Sequence, residues 1–385
     1  MPRNIVICCD GTDNEFGIRN TNVVRLIQVL ADAPEPPRQP HIVFYDPGVG
    51  TMPEPGIITR VGKKVDQAIA LAIATDLREK VARAYRFLMN TWEPGDAVFM
   101  FGFSRGAYTV RVLAGLLHLV GLLPAHSDNL VAYAVRLFAS LRGHGQDEHE
   151  DYWKLCDAFR TTFARATAVQ APDRRPPIAF MGVWDTVSSV GWAWNPAAYP
   201  YTRGNPSIAI IRHAISLDER RAFFRPNRFD LVPGQDLAQM WFPGVHSDVG
   251  GGYADGGLWR APFEWIAKAA AMAGLAVDPA RLGPMMTLPT VGSAFWAGPK
   301  HESLRSWWWA AEVFPKLSYD ATTGRRRPQL GLGRSRQVLA NELLSATVLE
   351  RIKGDATYRP RNLSAGFIDR VLNGSEPMAD GRYTP

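Results

Sequence analysis

Residues 97–116 read AVFMFGFSRGAYTVRVLAGL, and the fold turns on how that stretch is interpreted. Ala97 to Phe103 is a short, nearly unbroken apolar run, preceded by the turn residues Glu93-Pro94-Gly95-Asp96. Such a run, bounded by chain breakers, predicts a strand buried on both faces. Gly102-Phe103-Ser104-Arg105-Gly106 then matches G-x-S-x-G. Chemistry with that spacing needs a sharp turn from strand to helix, which lifts the serine hydroxyl off the sheet and aims a helix N-terminus at it. The glycines are required because a side chain there would strike neighbouring backbone. The motif alone carries little weight, since composition predicts about 0.12 chance matches in a chain of this length. Its context strengthens it: an apolar strand precedes Ser104, and an amphipathic helix, Arg105 to Val120, follows.

Working outward, the first half alternates strand-like and helix-like segments. Ile5 to Cys9 predicts a strand ending at Asp10-Gly11, and Thr21 to Ala31 a helix capped by Asn20 or Thr21. Ile42 to Tyr45 predicts a second strand, closed by Asp46-Pro47-Gly48, and Val65 to Trp92 a long helix. Strand and helix in alternation argue for an α/β fold, a mostly parallel sheet wrapped by helices. Two further strands are expected at Ile178 to Trp184 and Leu237 to Phe242. A helical insertion over about residues 121–177 separates the third strand from the fourth, and is read as a lid over the site. An aromatic-rich stretch, Trp192 to Tyr201, and a helix near Ile208 to Leu217 are expected before the fifth. Residues 1–275 form the expected core, and residues 276–385 a mostly helical, basic C-terminal region packed on it.

Composition sets the outer bounds. Apolar residues are 46% and charged residues 21% of 385, which excludes global disorder and low complexity. Three cysteines cannot build a disulfide framework and point to a reducing compartment. Met1 to Asn4 leads straight into a strand, with no basic-then-apolar signal sequence. The expected location is therefore cytoplasmic, or outside the cell by a route without a cleavable signal. The longest apolar stretch, Val112 to Ala125, is too short to span a bilayer. Of the net charge of +6, an excess of five falls in Lys316 to Pro385, with 12 Lys+Arg against 7 Asp+Glu. That bias reads as a solvated surface, or as attraction to an anionic membrane surface. No nucleic-acid module accompanies it, so no nucleic-acid partner is expected. Oligomeric state leaves no trace in the sequence.

A serine needs a base, and the base an acid to hold its tautomer, in the order Ser, acid, His for this architecture. Asp185 ends the fourth predicted strand, and His246 lies just beyond the fifth. Ser104, Asp185 and His246 thus all fall at the carboxyl ends of strands, where sites of open α/β sheets lie. Asp46 is the chief rival for the acid. Among the 8 histidines, His118 and His213 fall in predicted helices, His144 and His149 in a charged stretch, and His41 at the wrong end of a strand. The expected oxyanion donors are the backbone N–H of Arg105 and that of Gly11 or Thr12 in the first glycine loop. Asp46-Pro47-Gly48-Val49-Gly50-Thr51 is a second glycine loop at that edge, and neither loop is a P-loop. Asp10 and Asp248 are supporting candidates, and Asp248 is expected to orient His246, bind a cation or close a turn. Asp10, Asp13, His246 and Asp248 offer oxygen and imidazole ligands, but at no recognised metal spacing. No metal and no cofactor is expected.

Six motifs together resemble one family. They are Asp10-Gly11-Thr12 with Asn14; Tyr45 with Gly48-Val49-Gly50-Thr51; Gly102 to Ala107; Val183-Trp184-Asp185-Thr186-Val187; Ser216-Leu217-Asp218-Glu219-Arg220; and Gly244 to Tyr253. Their order over Ile5 to Tyr253 resembles the DUF2235 α/β-hydrolases, which include the Tle1-like phospholipase effectors of the bacterial type VI secretion system. The resemblance implies an α/β-hydrolase core over residues 1–275 and a Ser-Asp-His triad at Ser104, Asp185 and His246. It also implies hydrolysis of carboxylic esters, phospholipids among them, so a lipid or small ester is the expected partner. Trp184, Trp192, Trp194, Tyr199 and Tyr201, and a second cluster at Trp307 to Trp309, suit a lipid ester or the core. Two other readings remain: a non-catalytic module of the same fold that binds anionic surfaces, and a metal-dependent hydrolase using Asp10, His246 and Asp248.

Overall fold

A computed structural model describes residues 3–11, 17, 19–31, 41–48, 60–140, 146–166, 174–187, 191–192, 195–196, 199–254, 257–287, 294–305, 308–312, 316–320 and 325–385. Strand β1 (Asn4–Cys9) shows why the sheet forms. Ile5, Ile7 and Cys9 enter one apolar core while Val6 and Cys8 enter another, so the strand is buried on both faces. Helix α1 (Asn22–Gln28) starts at Thr21, whose hydroxyl accepts the Val24 N–H at 3.4 Å. Strand β2 (His41–Asp46) pairs parallel to one side of β1. Helix α2 (Arg60–Thr91) carries the chain back to β3 (Ala97–Phe103), which pairs parallel to the other side of β1. Helix α3 (Ser104–Val120) follows β3 without a single intervening residue.

Helices α4 (Asp128–Phe138) and α5 (Gln146–Phe163) precede β4 (Ile178–Trp184), which pairs with β3. A two-residue hairpin, β5 (Gly191–Trp192) with β6 (Asn195–Pro196), is followed by β7 (Ile208–Ser216) and β8 (Asp236–Phe242). Then come α6 (His246–Gly250), α7 (Arg260–Met272), α8 (Pro279–Met286) and α9 (Trp308–Glu312). A hairpin of β9 (Lys316–Asp320) and β10 (Arg325–Gln329) is separate from the main sheet. The chain closes with β11 (Leu343–Leu344), α10 (Ala346–Gly354), α11 (Ala365–Asn373) and β12 (Gly381–Arg382). The main sheet has the order β12-β11-β8-β7-β4-β3-β1-β2 and is parallel except for β12. This is an α/β fold, and its strand order reverses at β1 and β3. Ligand sites of open α/β sheets gather at the carboxyl edge of such a reversal.

Two expectations are corrected. Residues 208–216, expected to be helical, form a nine-residue strand. A short apolar run does not distinguish the two, and Ile208, Ile210, Ile211 and Ile215 tip it towards the sheet. The C-terminal region carries α8, α10 and α11 together with β11 and β12, which extend the sheet. Their neighbours Val348, Phe367 and Tyr383 share a third core with Ile215 and Trp241. Among the described residues, the helices of the expected lid lie at the end of α3 away from Ser104. Arg160 of α5 donates to the Leu119 carbonyl, and Phe138 of α4 lies against Gly115, so both helices pack on the C-terminal half of α3. Among the described residues, no helix is long and apolar enough to cross a membrane.

The turn between β3 and α3 is closely packed against backbone. A Cβ on Gly102 would lie 2.6 Å from the Ala107 backbone, and one on Gly106 would overlap the Cys9 carbonyl. The first turn of α3 therefore rests directly on the end of β1. Gly106→Ala is expected to cost about 3 kcal/mol, as overpacking does when only backbone can yield. Urea unfolding measures it; an unchanged midpoint would mean that α3 does not press on β1.

Candidate active site

Ser104 sits at the tip of that turn with φ +57°, and Asp185, directly after β4, has φ +39°. Each left-handed non-glycine residue costs about 1–3 kcal/mol and persists only where its surroundings hold it. The residues on either side of Ser104 are held firmly. Phe103 is buried, and its ring lies 4.6 Å from the His246 ring, centroid to centroid. Phe103 takes that place because Gly250, in the same short helix as His246, has no Cβ to collide with it. The Ser104 turn and His246 thus share one packed contact. On the other side of the serine, the Ser104 carbonyl accepts the Val187 N–H at 3.5 Å, tying the turn to the loop that carries Asp185.

Asp185 is completely buried. Its Oδ2 lies 2.5 Å from His246 Nδ1. Arg336 donates Nη1–H to Oδ1 at 2.6 Å and Nη2–H to Oδ2 at 3.0 Å, and Ser216 donates its N–H to Oδ1 at 2.9 Å. Burial by itself pushes the Asp185 carboxyl up, but the Arg336 charge and the His246 hydrogen bond outweigh it and hold the group well below the usual carboxylate range. An ionised carboxylate only accepts, so His246 Nδ1 carries the hydrogen and Nε2 is left with a lone pair. Burial lowers the His246 pKa and outweighs the opposing pull of Asp185, which favours the neutral ring. A buried, neutral, oriented imidazole is what a general base at neutral pH requires.

The other candidates separate into distinct places. Gly11 donates its N–H to Asp10 Oδ1 at 2.8 Å, so that donor is already engaged. Thr12 and Asp13 lie outside the described residues, as do Val49, Gly50 and Thr51 of the second glycine loop. Asp10 Oδ2 accepts the hydroxyls of Thr21 at 2.7 Å and Tyr45 at 3.2 Å, and burial pushes its pKa up to about 6. Asp46, the rival acid, is bound to Arg83 at 2.6 Å. Asp248 does not orient the His246 ring. Its Oδ2 accepts the Val245 N–H at 3.0 Å, and its Oδ1 meets His301 Nδ1 at 2.6 Å. Asp10, His246 and Asp248 therefore each have separate partners. Among the described residues no group of three His, Cys, Asp or Glu is placed to hold a metal.

Sequence reasoning missed three neighbours. Glu219 is fully buried, accepts the His246 N–H at 3.2 Å and pairs with Arg221 at 2.9 Å. It lies in a quoted motif, so its position was visible but its role was not. Phe224 packs edge-on, with its ring centroid 4.7 Å from that of His246 and 5.4 Å from that of Trp308. Arg336 gave no signal at all: it lies 151 residues from Asp185 in a stretch without periodicity. The expected aromatic clusters split in two. Trp184 is buried core and Tyr199 stacks on Phe138, whereas Trp308 borders the site through Phe224. The side chains of Trp192, Trp194 and Trp307 lie outside the described residues.

Comparison with known proteins adds a family. Residues 3–269 match the model for the type VI secretion system phospholipase effector Tle1-like catalytic domain. Over 241 residues the chain is 32% identical to an uncharacterized protein of Saccharomyces cerevisiae, covering 60% of this chain and 33% of the yeast protein. A crystal structure of an uncharacterized protein from Pseudomonas aeruginosa is 18% identical at a TM-score of 0.41, covering 75% of this chain and 48% of that one. A structure of the Tle1 effector bound to the VgrG spike of the type VI secretion system is 18% identical at a TM-score of 0.35, covering 66% and 51%. The chain thus spans about a third of the yeast relative and about half of the two solved chains.

The burial of His246 has a measurable consequence. Its imidazole is expected to titrate below the ordinary value of about 6.5, because burial disfavours the cation more than Asp185 favours it. Histidine NMR across acid and neutral pH reads the midpoint directly. A midpoint above the ordinary value would mean that Asp185 dominates.

Proposed function

Since the chain belongs to the Tle1-like phospholipase effector catalytic-domain family, we propose that it is a serine hydrolase of lipid carboxylic esters, with Ser104 as nucleophile, His246 as base and Asp185 as acid. The observation that carries this reading is the 2.5 Å contact between buried Asp185 and His246, packed through Phe103 against the turn that holds Ser104.

His246 Nε2 takes the Ser104 hydroxyl proton as Oγ forms its bond to the ester carbonyl carbon. The imidazolium stays hydrogen-bonded to Asp185, which remains ionised and stabilises it. Charge gathers on the former carbonyl oxygen, which faces the N-terminus of α3 and the Arg105 N–H. The second oxyanion donor is assigned to the loop after β1. Gly11 serves only if Asp10 releases its N–H, so Thr12 is the better candidate. As the tetrahedral carbon collapses, the alcohol leaves with the proton from His246, and Ser104 keeps the acyl group. Water, deprotonated by the same Nε2, then repeats the addition, releasing the acid and restoring the serine.

A lipid ester is favoured by what surrounds the base. Phe103 and Phe224 both contact the His246 ring, and Trp308 and the partly exposed Phe223 continue that apolar surface outward. The reading in which basic C-terminal residues dock an anionic surface draws less support. Arg336 and Arg351 are buried on internal acceptors, and Arg370 pairs with Glu376.

A fluorophosphonate probe followed by peptide mapping is expected to give one adduct, on Ser104. Ser104→Ala is expected to keep the melting temperature while ester turnover falls by about 10³-fold or more. Undiminished turnover in that variant, or an adduct elsewhere, would remove the assignment. Liposome binding without hydrolysis in the unmodified protein would favour a binding module instead.

A further inference from the structure

We propose that Arg336 is a positioning residue of this hydrolytic site, so that a segment beyond the matched catalytic-domain span completes the triad by clamping Asp185. The inference rests on the assignment of Asp185 as the acid. Residues 3–269 match the family, and Arg336 lies 67 positions past that limit.

The Asp185 carboxylate offers four lone-pair sites. Oδ1 accepts from Arg336 Nη1 at 2.6 Å and the Ser216 N–H at 2.9 Å. Oδ2 accepts from Arg336 Nη2 at 3.0 Å and His246 Nδ1 at 2.5 Å. Every site is occupied, and the planar fork of a guanidinium sets the plane of the carboxylate as well as its charge. Rotating Asp185 away from His246 would break both arms of the fork together.

The fork is itself anchored. Nη1 also donates to the Ser216 carbonyl at 2.9 Å and to the Ser216 hydroxyl at 2.6 Å, and Nη2 donates to the Phe224 carbonyl. Arg336 is only 2% exposed. It therefore joins the end of β7, the Phe224 segment and the carboxylate while making no use of solvent.

Other ionisable groups face the pair, and none replaces Arg336. Glu219 touches the His246 backbone but is neutralised by Arg221 at 2.9 Å. Arg221 lies over the Phe224 ring, 3.6 Å from its centroid, and acts on His246 only through space. His213, fully buried and driven down to about 3, accepts the Thr186 N–H at 3.2 Å and stays neutral. Arg225 sits close enough to Arg336 for the two cations to repel. Among the described residues, Arg336 is the cation bonded to Asp185.

The test compares the unmodified protein with Arg336→Met and Arg336→Lys in three measurements: fluorophosphonate labelling of Ser104 against pH, histidine NMR of His246 against pH, and melting temperature. With Arg336→Met, labelling is expected to slow by about 10- to 100-fold, the effect of a misaligned catalytic group. The acid limb is expected to rise by about one pH unit, because a nearby opposite charge has been removed. The sign holds whichever partner carries the proton: without the cation, the Asp185–His246 pair keeps its proton to higher pH, and the protonated pair lacks a base. Arg336→Lys restores the charge but not the fork, so its acid limb is expected near the original value with labelling still slowed.

A folded Arg336→Met protein with an unmoved acid limb and an unchanged rate would overturn the proposal. If that variant does not fold, Arg336→Lys decides: labelling at the original rate would show that the fork is not needed. If the unmodified protein is never labelled, the hydrolase reading fails by itself, and the NMR titration still judges the clamp. A His246 midpoint raised in Arg336→Met would uphold the coupling to Asp185, and an unmoved midpoint would overturn it.

Discussion

A carboxylate with no solvent contact has to be ionised and held still, and the structure around the site is arranged to meet that demand. Leaving such a charge unpaired costs several kcal/mol, and removing one partner of a buried pair typically costs about 3–5 kcal/mol. Asp185 avoids that cost through donors from Ser216, His246 and Arg336. Those donors lie at the end of β7, at the start of α6 and in the C-terminal region. One side chain therefore couples the middle of the sheet, the candidate base and a distant part of the chain.

The backbone strain at the site is understandable in that light. Ser104 and Asp185 both lie in the left-handed region, which Asp tolerates better than Ser but which strains either. Strand β3 is buried on both faces, and helix α3 is seated on the end of β1 through Gly106. Such close packing transmits displacement and does not absorb it, so the turn has no cheap way to relax. Aromatic packing extends the same rigidity to the base, whose ring is gripped by Phe103 and Phe224.

Much of this was legible in residue order, and the failures have specific causes. The run Ala97 to Phe103 and the G-x-S-x-G that follows it were visible because buried strands and steric turns impose local composition. Asp185 and His246 were visible because each follows a strand, and the structure brings those two side chains into contact. Residues 208–216 were misread because an isoleucine-rich run satisfies either element until its neighbours are known. Asp248 was ambiguous because an Asp near a His orients it only if the side chains point together; here Asp248 turns to Val245 and His301 instead. Gly11 looked like an oxyanion donor because a sequence does not reveal that its N–H is bonded to Asp10.

What the sequence determined by itself is whatever depends on neighbours a few positions apart: the period of the strands, the glycines of the turn, the placing of Ser104, Asp185 and His246 after strands, and the motifs that mark the family. What only the tertiary structure decided is which polar groups meet. Arg336 stands 151 residues from Asp185, in a segment with no period and no motif, and nothing local distinguishes it from the other arginines of a basic C-terminal region. It is chosen by the fold, because β11 and β12 close the sheet beside β8 and carry the neighbouring chain inward. There a buried carboxylate needs a cation, and distance along the chain imposes no limit on which residue supplies it.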